Sequence, residues 1–178
     1  SSDLVYNPNN DKIETMTIQV GNVTRTVASY SYDDIGRLVS VNRSGNAGSV
    51  HYAYNIRNWL KETKSDRFKQ NLYYESTKEN PCFNGNISRM QWQSNKDNVL
   101  RGYDFTYDGL NRLEESIYGE GADMSQSKNH YSENVLSYSP NGSIERLQRY
   151  GKKNNGTFGL IDDLTYSYNG NQIKAISD

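Results

Sequence analysis

Three acidic pairs are the residues of this chain best suited by type to do chemistry: Asp33-Asp34, Glu114-Glu115 and Asp162-Asp163. Two carboxyls on either side of a glycosidic bond can serve as its acid and base. Such a couple must face one substrate together, and adjacent residues of a β-strand point to opposite faces. Glu114-Glu115 reads as strand and Asp162-Asp163 as a strand entry, so neither partner assists the other. His51 and His130 are the two histidines, far apart and without the short spacing of metal ligands. Cys82 is the single cysteine, which rules out an internal disulfide. As a nucleophile it would need a histidine partner and surroundings that lower its pKa. No glycine-rich phosphate loop opens a helix. The expectation is a chain without catalytic residues, metal site or cofactor, and so not an enzyme.

What recurs is a different set of residues. Tyr30-Ser31-Tyr32-Asp33-Asp34-Ile35-Gly36-Arg37-Leu38 sets two aromatics at alternate positions, then a polar turn, then an aliphatic residue that restarts the alternation. Alternation on both sides of a short Asp/Gly segment is the sequence form of a β-hairpin. Tyr52, Tyr54, Asn55, Asn58 and Leu60 repeat the phrase, and so do Phe105, Tyr107, Asp108, Asn111, Arg112 and Leu113. Tyr138, Gly142 and Ile144 keep the turn and the restart, while Tyr166, Tyr168, Asn169 and Ile173 have a loop one residue shorter. A weaker sixth copy is centred on Phe83, Gly85 and Ile87. The intervals between copies are unequal, unlike the tight period of propellers or leucine-rich horseshoes.

Each position has a physical reason. Asp33, Asn55 and Asp108 carry short polar side chains that can accept from backbone N–H groups two residues on. Gly36, Asn58, Asn111 and Gly142 stand where positive φ is expected, which Gly and Asn tolerate. Tyr32 and Leu38 flank the turn and set register, and Arg37 and Arg112 can lay their stems across a tyrosine ring.

The Tyr-x-Tyr-Asp-x-x-Gly-Arg-Leu form, with Tyr32-Asp33 and Tyr107-Asp108 as its pairs, resembles the YD repeat of the Rhs family, to which bacterial polymorphic toxins, wall-associated proteins and the teneurins belong. The resemblance runs from about Thr26 to the end. It implies a long antiparallel sheet that forms a hollow shell around a C-terminal cargo, commonly a toxin. The family's self-cleaving core and its variable toxin tail have no counterpart here. The expected function is therefore a non-catalytic segment of such a shell, secreted or on a bacterial cell surface. Its partners would be the rest of the parent chain and an effector. A second reading is a surface carbohydrate-binding module that stacks wall or surface polysaccharide on exposed Tyr and Trp.

The remaining sequence agrees with an all-β chain of consecutive antiparallel hairpins in a curved, twisted sheet. Only 34% of the 178 residues are hydrophobic and mean hydropathy is −0.93, polar for one thick core. Disorder is disfavoured because aromatics make up 12% and net charge is −1. Twenty Lys plus Arg against 21 Asp plus Glu leave no field to draw nucleic acid. No window has the roughly 18 apolar residues of a membrane-spanning helix.

Residues 1–11 read as loop, and Gly21-Asn22 as a two-residue turn between alternating strands. Residues 1–25 then form a lead-in hairpin and residues 26–178 the repeats, as one domain. Residues 43–49, 119–129 and 151–159 read as loops, with Leu72-Tyr73-Tyr74 a short strand inside the hard-to-place stretch 64–81. Of the residues after Phe83, Ser88, Met90 and Trp92 are expected on the better-buried face. The abrupt start at Ser1 and end at Asp178 suggest a segment of a longer protein, whose free sheet edges would favour self-association.

Overall fold

The computed structural model of the chain describes residues 1–45, 48–75 and 81–178. Parts of the expected loop 43–49 (46–47) and of the stretch 64–81 (76–80) lie outside the described residues. Fourteen strands and no helix of α type occur among the described residues, so the chain is all-β. They divide into two compact units, residues 1–71 with 94–97, and residues 72–93 with 98–178.

The first unit is built from β1 (Ser2–Tyr6), β2 (Ile13–Val20), β3 (Val23–Tyr32), β4 (Leu38–Arg43), β5 (Ser49–Tyr54), β6 (Leu60–Ser65) and the start of β7 (Phe68–Tyr73). The second holds β8 (Arg89–Ser94), β9 (Leu100–Tyr107), β10 (Leu113–Glu120), β11 (Glu133–Tyr138), β12 (Ile144–Lys152), β13 (Phe158–Asn169) and β14 (Gln172–Ser177). Within each unit every strand pairs antiparallel with its neighbour in sequence. This order follows from short turns, which can join only adjacent antiparallel strands.

The turns are where the residue pattern acts. Gly36 has φ +84°, Asn58 +63°, Asn111 +62° and Gly142 +87°, the left-handed region expected of them. Each N–H closes a tight turn onto the carbonyl of Asp33, Asn55, Asp108 or Ser139, at 2.8–3.1 Å. The two-residue turn at Gly21-Asn22 is present, with Val20 opposite Val23. Asn169 pairs with Gln172 and closes the shorter final loop.

Several expectations need correction. Residues 1–11 are not simply loop, since Ser2–Tyr6 is a strand paired with β2. Within the stretch 151–159, residues 151–152 and 158–159 are strand, and the turn is confined to 153–157. There Lys153 N donates to Thr157 O and Gly156 N to Lys153 O, the same closure as in the repeats. Phe83 lies outside any strand and is 65% exposed, so the sixth copy is a turn without a hairpin. Leu72 and Tyr73 end the longer β7, and Tyr74 lies beyond it. On β8 the two faces do not divide as expected, because Gln91 is buried together with Ser88.

The core is thin and partly polar. Ala28, Ser40 and Val41 are buried in the first unit, and Ser88, Gln91, Ser116, Tyr118, Met124 and Ser132 in the second. The expected polar loop 119–129 begins instead with the end of β10, and its Met124 is buried. It packs against a pair of glycines, Gly102 and Gly119, which face each other across β9 and β10. A Cβ on Gly119 would stand 2.3 Å from the Met124 carbonyl oxygen, and one on Gly102 2.4 Å from that of Met90. Glycine in a strand interior here marks a close approach of backbone.

Candidate functional site

The motif residues meet in a contact between consecutive hairpins. Asp33 binds Arg37 twice: its Oδ1 accepts from the Arg37 backbone N–H at 2.8 Å and its Oδ2 from Nε at 2.7 Å. Asp108 and Arg112 repeat this at 2.8 and 2.6 Å. Asn55 does the same with an amide, accepting from Arg57 N–H and Trp59 N–H. These bonds hold the charged form of the acids, so both carboxyls lie below their ordinary value. For each the N–H of the following arginine is the largest cause.

The arginine so oriented reaches the next hairpin. Arg37 lies 4.8 Å from the centre of the Tyr54 ring and also donates to Asn58 Oδ1 at 2.8 Å. Arg112 lies 4.5 Å from the Tyr138 ring. The covered tyrosine then closes the contact. Tyr54 OH donates to the carbonyl of Leu38 at 2.9 Å, and Tyr138 OH to that of Leu113 at 2.5 Å.

Three more tyrosines follow the same rule. Tyr32 OH donates to Ile13 O at 3.0 Å, Tyr107 OH to Ile87 O at 2.9 Å and Tyr168 OH to Ile144 O at 2.6 Å. In every case the acceptor is the aliphatic residue that restarts the alternation after the previous turn. Each donor is also paired across its own turn with the next such aliphatic: Tyr32 with Leu38, Tyr54 with Leu60, Tyr107 with Leu113, Tyr138 with Ile144 and Tyr168 with Ile173. The result, at five places among the described residues, is a relay within each unit in which a tyrosine closes onto the aliphatic residue that follows the turn before it.

The relay also brings in residues that the sequence reading missed. Lys12 takes the place of Arg37 one hairpin earlier, lying 5.0 Å from the Tyr32 ring and donating to the Gly36 carbonyl. Asn7 N donates to Lys12 O, and Asp11 has φ +54° just before Lys12. The first hairpin therefore runs from Tyr6 to Ile13, which pair across the turn. Its signal was present in Tyr6-Asn7 and Lys12-Ile13, hidden by a loop of six residues without glycine.

Burial raises the pKa of Tyr107 and Tyr138. A donor that must stay protonated is stabilised by this, and its contribution is lost as pH rises through the raised folded value. Tyr30, Tyr52 and Tyr166 sit two residues before the clasping tyrosines, opposite Val41, Thr63 and Ile176. Phe105 stacks at 6.1 Å on Tyr103, which stacks at 5.7 Å on Trp92.

The residues first considered for chemistry are placed as follows. Asp162 and Asp163 form ion pairs with Arg149 and Arg146. His130 stacks on Phe158 at 3.7 Å, and His51 is an exposed strand residue opposite Ser40 and Lys64. Burial pushes the Cys82 thiol up, away from the thiolate. Cys82 lines a cleft of about 490 Å³ with Phe83, Phe105, Tyr107, Asn84 and Asn86. Among the described residues no group of three His, Cys, Asp or Glu is placed to hold a metal ion, and no helix is long and apolar enough to cross a membrane.

Fold and site together define an all-β protein of consecutive hairpins joined by tyrosine clasps. No family model matches the chain, and neither does any curated protein. Among solved structures, it is similar to a chain of the Photorhabdus luminescens Tc holotoxin pore with a mutated TccC3, at TM-score 0.43 and 10% identity. The match covers 97% of this chain but spans only 11% of the other. At that level the likeness adds nothing to the architecture read from the strands themselves.

Proposed function

We propose that this chain is a wall segment of a YD-repeat shell of the Rhs type, which encloses or carries a C-terminal effector outside the cytoplasm and performs no chemistry itself. The observation that carries this reading is the relay of clasps. Motif tyrosine, acid and arginine are engaged in joining one hairpin to the next, and their repetition builds wall. Low hydrophobicity and a thin core suit a wall that is wet on both sides. The test is limited proteolysis of the natural full-length protein. The wall reading expects a C-terminal domain that resists protease until the hairpin region is unfolded. A protein in which no domain follows, or in which that domain is digested at the rate of the isolated domain, overturns it.

The alternative, polysaccharide binding, draws support from the cleft beside Tyr107, where the rings of Phe83 and Phe105 stand near the amides of Asn84 and Asn86. Stacking on tyrosines along the turns is disfavoured, because Lys12, Arg37 and Arg112 already cover three of those rings. Calorimetric titration with wall polysaccharide separates the readings: heat of binding that Phe83→Ala abolishes favours the cleft.

A further inference from the structure

The ladder between β3 and β4 stops short of the end of β3. β4 pairs with β3 as far as Ala28 and Arg43, and the Ser44 N–H then reaches the Val27 carbonyl at 3.0 Å. Beyond that point Val23, Thr24, Arg25 and Thr26 pair with β2 alone. Gln19, opposite Thr24, turns its N–H outward to the Ser1 carbonyl. Directly opposed residues of an antiparallel pair either exchange their backbone bonds or both point them away. The N–H and C=O of Thr24 therefore face the outer side of β3, as do those of Thr26 opposite Thr17. All four residues from Val23 to Thr26 are exposed. This open edge lies inside the chain, between two consecutive strands.

β10 shows a similar gap filled. β11 pairs with it only at Glu115 and Ser116. The next backbone groups are taken up by the returning loop, where Tyr118 N–H donates to Ser132 Oγ at 2.9 Å and Asn129 N–H to Tyr118 O at 3.0 Å. Among the described residues none does this for Thr24.

The two faces beside the open edge differ. Val20 lies opposite Val23, Ile18 opposite Arg25, and Met16 opposite Ala28, which lies opposite Arg43 in turn. These residues share one face. On it Val20 is 73% and Val23 54% exposed. Arg25 and Arg43 are exposed too, and neither has an acidic partner among the described residues. The other face carries Thr17, Gln19, Thr24 and Thr26.

We propose that residues 23–26 accept an extended segment of a partner polypeptide as an added strand, antiparallel to β3 and in line with β4. Thr24 exchanges both backbone bonds with the partner residue opposite it, the way open sheet edges recruit strands. The partner residue facing Val23 is apolar. The one facing Arg25 is acidic, because two unpaired guanidiniums share that face. Those facing Thr24 and Thr26 are small and polar. Read along the partner, the segment runs polar, acidic, polar, apolar.

The test is NMR titration of the whole chain with two synthetic peptides blocked at both ends, Ser-Thr-Glu-Thr-Val-Ser and the same peptide with Lys in place of Glu. The proposal expects shifts and slowed hydrogen exchange at the amides of Thr24 and Thr26, with the Glu peptide bound about two- to fivefold more tightly. That preference should narrow as salt is raised, and Arg25→Glu should reverse it. Neither peptide binding at millimolar concentration, or both binding with the Thr24 and Thr26 amides unmoved, would overturn the proposal. So would a preference that Arg25→Glu leaves unchanged. Concentration-dependent protection of those amides without peptide would show copies pairing edge to edge, and would overturn it as well.

Discussion

At the scale of the residue, the choice of tyrosine over phenylalanine at positions 32, 54, 107, 138 and 168 is explained by its hydroxyl. A half-buried carbonyl left without a partner costs free energy, and a neutral hydrogen bond contributes about 0.5–1.5 kcal/mol net. The Asp–Arg pair has a different role: it aims the guanidinium at the next ring. Its acid behaviour gives a sign. Asp33 and Asp108 are held below their ordinary 3.8. Their contribution is thus present above that value and lost as pH falls through the lowered folded value. Asn55 holds an equivalent turn without charge, so a double variant Asp33→Asn, Asp108→Asn should keep the fold at neutral pH. Its urea midpoint should fall less steeply than the parent's as pH is lowered from about 5 to about 2. Parallel pH profiles would remove these two acids from the account.

At the scale of the element, the turns separate backbone strain from packing. A Cβ on Gly142 meets no atom within 4 Å, so Gly142→Ala should report the cost of positive φ alone, about 1 kcal/mol by urea unfolding. Gly36→Val should exceed about 1 kcal/mol, because Lys12 must also move aside. Gly119→Ala drives a methyl at the Met124 backbone, which overpacking places at about 1–3 kcal/mol. An unchanged melting temperature for Gly119→Ala would mean that the loop after β10 does not rest on the strand.

These cases also show what a reader of the sequence alone can and cannot recover. The left-handed positions at Gly36, Asn58, Asn111 and Gly142 were legible because turn chemistry is local. So were the pairings of Tyr32 with Leu38 and Tyr107 with Leu113. The partner of each hydroxyl was not legible, because it depends on which hairpin lies alongside. Tyr6 was missed because a six-residue loop hides the pattern. Met124 was missed because burial over Gly119 arises from the return of a polar loop, which periodicity does not register.

At the scale of the whole molecule, two thin-cored units take their cohesion from contacts between sequence neighbours. Stability in such repeats is close to a sum of local interfaces, so one broken clasp should weaken its neighbourhood and leave the fold in place.

The most direct test of the central claim is equilibrium urea unfolding of four single variants in dilute, monomeric solution: Tyr54→Phe, Tyr138→Phe, Tyr168→Phe and Tyr6→Phe. The first three each lose the hydroxyl that closes a clasp and should each lose about 0.5–1.5 kcal/mol, whereas Tyr6→Phe should unfold with the parent. Equal losses in all four, or none in any, would show that the hydroxyl-to-carbonyl relay does not hold the hairpins together.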